Sequence, residues 1–168
     1  MHTHRIKLIF TTSRDAGSRV RSLENYLSLI FPDSIKLNRG RSSLESIMRT
    51  SQRLGANFLC IIESKMGNPS ALKLFSLDNF ELKYFFDIAG LSLLSDRNER
   101  SPHYNYRGVC IDSIEDGCER VKWFMIDMGA SVLCESASVK VKVHKEDDDC
   151  IVRFNEDESK TIMSLTLR

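Results

Sequence analysis

The chain has 168 residues, of which 42% are hydrophobic and 28% charged, as in an ordinary globular protein of one domain or two small halves. Its formal net charge at pH 7 is only +1, which by itself favours no polyanionic partner. No apolar run reaches the roughly 18–20 residues that cross a bilayer, and the sequence Met-His-Thr-His-Arg does not open a signal peptide. We therefore expect a cytoplasmic protein without a membrane partner.

The first half of the chain predicts alternating strands and helices. The first helix rests on an apolar stripe, Val20, Leu23, Leu27 and Ile30, and the second on the capping-box pattern Ser42-x-x-Glu45. In chain order we predict a strand, a helix, a strand, a helix and three strands, over residues 5–10, 18–31, 34–38, 42–55, 57–63, 71–77 and 81–86. This order is typical of an α/β fold.

The second half has a more α+β character. Residues 88–106 contain a polar loop, and we place the boundary between the two halves there. A strand over 108–112 precedes a helix that we expect to begin at the Ser113-x-x-Asp116 pattern and to end at Gly129. Three strands over 131–143, 150–154 and 161–167 complete an antiparallel meander.

Charge is unevenly distributed along the chain. Residues 1–60 contain ten Lys/Arg and four Asp/Glu, a net charge of +6, whereas residues 61–168 contain fourteen and nineteen, a net charge of −5. A basic excess confined to one segment indicates a nucleic-acid or other polyanion surface. The alternative is a solvated charged face with no partner.

Much of this positive charge lies in turns that follow predicted strands. A cation at a helix N-terminus costs about 0.3–1 kcal/mol, unless an anion binds there and contacts both the backbone N–H groups and the cation. Turns after parallel strands meet at one edge of a sheet, where ligands commonly bind. The residues that we expect to contact a nucleic acid at such an edge are Thr12, Ser13, Arg14, Arg19, Arg21, Asn38, Arg39, Arg41, Lys65 and Asn68.

Each of these residues also has a structural interpretation. Arg14 could pair with Asp15 or Glu24, and Arg41 with Glu45. The hydroxyl groups of the Thr-Thr-Ser run could donate to phosphate or cap the turn, and the sequence leaves both open. Tyr104 and Tyr106 in the middle loop could stack on unpaired bases or pack within the loop.

Patterns of metal and catalytic sites are missing from the sequence. The five cysteines include no C-x-x-C pair and make no metal-ligand spacing with the histidines, so we expect no zinc site. The first turn matches neither G-x-x-x-x-G-K-[ST] nor G-x-G-x-x-G. We therefore expect no cofactor, no small-molecule substrate, no catalytic residues and no metal. The cysteine spacing does not decide whether any pair forms a disulfide.

Three motifs, in this order and at these spacings, resemble the Brix domain of ribosome-biogenesis factors, most closely its short, single-domain archaeal members. They are Thr11-Thr12-Ser13-Arg14, Asn38-Arg39-Gly40 and Gly67-Asn68-Pro69, and the resemblance covers about residues 6–78. It implies one Brix-like domain over 1–168, made of two similar α/β halves at about 1–87 and 107–168. Each half would have a mixed sheet flanked by helices and would be related to the anticodon-binding domain of class II aminoacyl-tRNA synthetases.

The same resemblance implies a function. It predicts a ribosomal-RNA-binding factor of rRNA processing or subunit assembly, without catalytic activity. Its partner would be a ribosomal RNA precursor, with ribosomal proteins or other assembly factors as further candidates. The alternative is a protein-interaction scaffold in pre-ribosome assembly whose RNA contact is incidental, because the acidic second half and its exposed-strand lysines suit a protein partner better than bare RNA.

Overall fold

The computed structural model describes residues 5–168, which form a mixed α/β fold of strands and helices. Residues 1–4, on which the expectation of no signal peptide partly rests, lie outside the described residues. The chain divides into two compact units. The first unit comprises the residues up to Ser28 and Asp33–Phe86, and the second comprises Leu29–Pro32 and Asp87–Arg168.

The first unit has the predicted element order. Its elements, of which α1 and β5 end in residues of the second unit, are β1 Leu8–Thr12, α1 Ser18–Ile30, β2 Ser34–Lys36, α2 Leu44–Arg53, β3 Phe58–Lys65, β4 Asn68–Ser76 and β5 Glu81–Leu93. The strands lie in the order β2-β1-β3-β4-β5. Strand β1 is parallel to both β2 and β3, and β4 is antiparallel to β3.

The core of the first unit forms on both faces of this sheet. Helix α2 packs its buried Ile47 and Met48 in one cluster with Ile9, Leu59 and Ile61 of the strands. Because successive strand side chains point to opposite faces, the intervening strand residues point to the other face. The stripe predicted for α1 is confirmed, since its four residues are fully buried.

Helix α2 is capped differently from the prediction. We expected Ser42 to open a capping box with Glu45, but the N-cap is Ser43, whose side-chain oxygen accepts a 3.1 Å hydrogen bond from the backbone N–H of Ser46. The backbone N–H of Ser42 instead donates to the carbonyl of Arg39. The backbone of Ser42 thus belongs to the turn at Arg39, and the N-cap lies one residue later than predicted.

The second unit also contains a mixed sheet with a helix. Its elements after β5 are a 3-10 turn at Leu94–Arg97, β6 Val109–Ile114, α3 Glu119–Met128, β7 Val139–Glu146, β8 Asp149–Asp157 and β9 Lys160–Leu167. The strands lie in the order β5-β9-β8-β7-β6. The predicted antiparallel meander is confirmed as β7, β8 and β9, while β6 is parallel to β7.

Two predicted boundaries in this half, and the predicted end of the last strand of the first half, are wrong. Ser113 does not start a helix, because Ser113 and Ile114 pair with β7 and belong to β6; α3 begins only at Glu119. Strand β5 extends beyond the predicted end at residue 86, since its apolar residues after Ile88 pair with β9. The strand predicted from residue 131 begins at Val139. In each case, pairing with a neighbouring strand decided the boundary.

Two disulfides lie in the second unit. Cys110 of β6 is bonded to Cys134, and Cys118, the N-cap residue of α3, is bonded to Cys150 of β8. Cys60 of the first unit is a free thiol, and complete burial raises its pKa well above the usual value for cysteine. Cysteine pairing in this protein therefore cross-links the second unit alone.

Candidate nucleic-acid interface

The predicted basic turns lie at one edge of the first unit. Strands β2 and β3 both run parallel to β1, so the turns after all three strands lie at the carboxyl edge of the sheet. The chain leaves β1 through α1 towards β2 on one side, and returns through α2 to β3 on the other. An edge at which the strand order reverses in this way forms a crevice where ligands bind in open α/β sheets.

A cavity of about 590 Å³ opens at this edge, and we call it the edge cavity. Six of the ten predicted residues line it: Thr12, Ser13, Arg14, Arg21, Asn38 and Arg39. Lys36 and Glu24 also line it, although sequence reasoning did not select them as ligand contacts. Their positions carried a signal, because Lys36 is the last residue of β2 and Glu24 follows Arg21 by three residues, which places Glu24 and Arg21 on one helix face.

The first turn is fixed by hydrogen bonds to its neighbours. Thr11 donates its hydroxyl to the carbonyl of Leu37 at 2.8 Å. The backbone N–H of Ser13 donates to the carbonyl of Ile62, and the Ser13 hydroxyl lies 2.9 Å from that of Ser64 and accepts the Ser64 backbone N–H at 3.1 Å. The hydroxyls of Thr11 and Ser13 therefore hold the turn, one of the two alternatives that the sequence left open.

Two guanidinium groups converge on one backbone carbonyl. Arg39 donates from Nε to the carbonyl oxygen of Ser42 at 2.8 Å and from Nη1 to that of Thr12 at 3.4 Å. Arg14 reaches the same Ser42 oxygen from Nη2 at 3.5 Å. Asn38 closes the turn through its side-chain oxygen, which accepts from the backbone N–H of Gly40. Two positive charges thus lie together beside the cavity, and an anion placed there would meet both.

The ion pairs that were the alternative to an RNA contact for Arg14 and Arg41 are not formed. Glu45 pairs with Arg49 at 2.6 Å, so it is not the partner of Arg41. Within residues 5–168, Arg41 makes no hydrogen bond or ion pair, and Arg14 makes none with Asp15 or Glu24. The charges of Arg14 and Arg41 are therefore not neutralised by contacts within the described part of the protein.

Four predicted residues lie outside the lining of the edge cavity: Arg19, Arg41, Lys65 and Asn68. Arg41 belongs to the same loop as Arg39, whereas Lys65 and Asn68 face each other across the turn between β3 and β4. This turn contacts the first one closely, since a Cβ added at Gly17 would lie 2.9 Å from the carbonyl oxygen of Gly67. The three turns are therefore neighbours, although only two of them line the cavity.

Glu24 is a carboxylate that lies among the cations of the edge cavity. Burial raises the pKa of its carboxyl group to about 7, although the nearby charges of Lys36 and Arg21 act in the opposite direction. Lys36 does not pair with it, because its Nζ donates to the side-chain oxygen of Asn25 at 3.0 Å. The carboxyl group thus sits among cations without a hydrogen bond to either.

The two loop tyrosines differ in their environment. Tyr106 is buried and donates its hydroxyl to Glu156 at 3.2 Å, and burial raises the pKa of this phenol. Tyr104 is half exposed, donates to the other oxygen of Glu156, and lies with its ring centroid 5.1 Å from that of Tyr106. Packing within the loop, one of the two alternatives considered, describes Tyr106.

Within residues 5–168, no helix is both long enough and apolar enough to cross a bilayer. The same residues contain no group of three or more His, Cys, Asp or Glu side chains placed to hold a metal ion. The edge cavity is lined by basic and polar side chains, by the carboxylates of Asp15 and Glu24, and by Ala16 and Leu37.

Comparison with known proteins gives close relatives, although no family model matches the chain. A probable Brix domain-containing ribosomal biogenesis protein of Saccharolobus solfataricus is 36% identical over 142 residues, which cover 84% of this chain and 82% of that protein. Its counterpart in Sulfurisphaera tokodaii is 43% identical over 129 residues, covering 77% and 71%. The U3 small nucleolar ribonucleoprotein protein IMP4 of Eremothecium gossypii is 31% identical over 107 residues, covering 58% and 36%.

A solved structure has the same fold. The crystal structure of a probable ribosomal biogenesis protein from Aeropyrum pernix K1 superposes with a TM-score of 0.79. The superposition covers 96% of this chain and 94% of that one, at 24% sequence identity. At this identity the likeness shows the fold and not the function.

Proposed function

Because the chain belongs to the family of Brix domain-containing ribosomal biogenesis proteins, we propose that it is a ribosome-biogenesis factor that grips ribosomal RNA at the edge cavity. The observation that carries this proposal is the convergence of Arg14, Arg21, Lys36 and Arg39 on one cavity. Arginine suits such a contact, since its planar group can bind a phosphate bidentately and stack on an unpaired base.

The proposal includes the finer expectations drawn from the sequence. The ligand is a ribosomal RNA precursor, the protein acts in the cytoplasm and without catalysis, and ribosomal proteins or other assembly factors are further partners. The whole chain forms a single Brix-like domain, each half of which is related to the anticodon-binding domain of class II synthetases. The names of the three relatives support a role in assembly, because all of them describe biogenesis or ribonucleoprotein components.

Salt dependence of RNA binding tests the proposal. If four or five cations each neutralise a phosphate, log K should fall against log salt with a slope of roughly −3 to −4. The Arg14→Ala/Arg21→Ala variant should bind a structured rRNA fragment about tenfold more weakly and lose roughly one unit of slope per phosphate contact removed. Both side chains are exposed, so the fold should persist.

A matched control removes the same number of charges elsewhere. Lys140 and Lys142 are exposed on β7 of the second unit, and the Lys140→Ala/Lys142→Ala variant should bind as the wild type does. A flat salt response, or equal affinities for the wild type and the arginine variant, would contradict the proposal.

A second candidate function, a protein-interaction scaffold, is favoured by the surface of the second unit. Trp123, Val132 and Leu133 are large apolar side chains that are 54–68% exposed there. Recovery of assembly partners after nuclease treatment would support this function, whereas loss of every partner on nuclease treatment would argue against it.

A further inference from the structure

We propose that the edge cavity receives one unpaired nucleotide of the bound RNA and selects guanine through the carboxylate of Glu24. This inference rests on the proposed function and names the feature of the RNA that the same site recognises. It follows from a half-buried carboxylate placed among the basic side chains of the cavity.

Glu24 is available to a ligand. Within residues 5–168 it makes no hydrogen bond or ion pair, although Lys36 and Arg21 are close enough to act on its charge. Every fully buried side-chain nitrogen or oxygen in this part of the protein has a hydrogen-bond partner. The Glu24 oxygens therefore remain accessible, and they line the edge cavity.

An anion alone does not explain this arrangement. A phosphate bound to Arg14 and Arg39 gains nothing from a carboxylate in the same cavity, because like charges repel. A ligand that matches both kinds of lining carries a negatively charged group and hydrogen-bond donors. A nucleotide has this combination, since its phosphate can meet the arginines while its base edge meets Glu24.

Guanine is the base that suits a carboxylate. Its N1–H and N2–H groups are adjacent donors, which can bind both oxygens of one carboxylate. Adenine and cytosine place a ring acceptor beside their amino donor, and uracil places its single N–H between two carbonyl acceptors. With these bases an acceptor would face the carboxylate, and leaving a buried polar group unpaired is costly.

The size of the cavity agrees with a single nucleotide. Its volume of about 590 Å³ falls within the range of about 300–1,000 Å³ seen for small-molecule sites. Unpaired bases of RNA loops and bulges can be splayed into such a site, whereas a base within a helix cannot reach it.

The test uses the pentaribonucleotides UUGUU, UUAUU, UUCUU and UUUUU with the intact protein. At pH 8, where Glu24 is largely ionised, we expect UUGUU to bind about tenfold more tightly than the other three by fluorescence anisotropy. Glu24→Gln should reduce this preference to about twofold or less, while the salt slope for the rRNA fragment stays that of the wild type, because the substitution removes no phosphate contact. The control is Asp15→Asn, which neutralises the other carboxylate of the cavity and should keep the preference.

The outcomes separate this inference from the proposed function. Equal affinities for the four oligonucleotides, or a guanine preference that survives Glu24→Gln, would overturn the inference while rRNA binding still stands. A preference that disappears with deoxyguanosine at the central position would assign the selection to the ribose and would also overturn it. Absence of any RNA binding would overturn both.

Discussion

Arg39 and Arg14 lie in adjacent turns, but their contacts give them different roles. Arg39 donates to two backbone carbonyls and so joins the second turn to the end of β1. Arg14 is exposed and has a single long hydrogen bond. The sequence could show that both positions are basic, but it could not show which arginine the turn itself uses, because backbone acceptors leave no mark in the sequence.

Loss of the Arg39 contacts should therefore lower stability as well as affinity. Arg39→Ala is expected to reduce the free energy of unfolding by about 1–2 kcal/mol, since the Thr12 carbonyl loses its Arg39 donor and the Ser42 carbonyl keeps only the long hydrogen bond from Arg14. Arg14→Ala should weaken RNA binding and leave stability within about 0.5 kcal/mol of the wild type. Urea unfolding of the two variants measures the difference, and equal stabilities would contradict the assigned roles.

Glu24 should make the stability of the protein depend on pH. The folded protein holds the proton of this carboxyl up to about pH 7, whereas the unfolded chain releases it near the ordinary glutamate pKa of 4.5. The folded state thus binds more protons between these values, and stability falls as pH rises through this window.

Glu24→Gln should remove this loss of stability at high pH, because the glutamine amide does not ionise. We expect the variant to gain about 1–2 kcal/mol over the wild type at pH 8, an amount limited by the partial hydration of the group in an open cavity. Near pH 4 the gain should be close to zero. Urea unfolding at the two pH values measures it, and a pH-independent difference would show that ionisation of Glu24 is not the cause.

At the scale of elements, the start of α2 gives a clear contrast between neighbouring serines. Ser43→Ala should cost about 1 kcal/mol of stability, because the N–H of Ser46 loses its acceptor. Ser42→Ala is the matched control and should cost little, since the side chain of Ser42 makes no hydrogen bond within residues 5–168. Thermal unfolding decides between them, and a larger cost at Ser42 would reverse the assignment.

The elements that the sequence predicted well are those in which a repeating pattern covers the whole segment. The apolar stripe of α1 fits only a helix, and the continuous apolar run of β3 was read correctly as a buried strand. Prediction failed where two local signals competed, as at Ser113, where a helix-start pattern lay inside a strand paired with β7. The positions of the turns after parallel strands were enough to predict six residues of the edge cavity. The burial of Glu24 could not be predicted in this way, because it depends on how α1 packs.

At the scale of the whole molecule, the net charge of +1 conceals two oppositely charged units. The first unit contains thirteen Lys/Arg and seven Asp/Glu, a net charge of +6, and the second contains eleven and sixteen, a net charge of −5. The candidate RNA interface lies within the basic unit, and both disulfides lie within the acidic one. The described residues of the basic unit therefore contain the candidate interface and no disulfide, and the acidic unit contains both disulfides.

Reduction of the disulfides should affect the two units differently. Each bond closes a loop of 24 or 32 residues and restricts the unfolded chain, which is worth roughly 3–4 kcal/mol. Dithiothreitol should lower the temperature at which the second unit unfolds. Below this temperature, the hydrogen-exchange rates in β1 and β3 and the affinity for RNA should be the same with and without dithiothreitol. Loss of RNA affinity on reduction alone would contradict this independence.

Cysteine pairing also makes the protein convenient for site-directed labelling. All five cysteines lie within the described residues, and the one left unpaired is buried with a raised pKa, so the oxidised protein should not react with maleimides. Asn38→Cys would then place a single reactive thiol on the wall of the edge cavity. A photocrosslinker attached there would mark the bound nucleotides while every native cysteine stays in place.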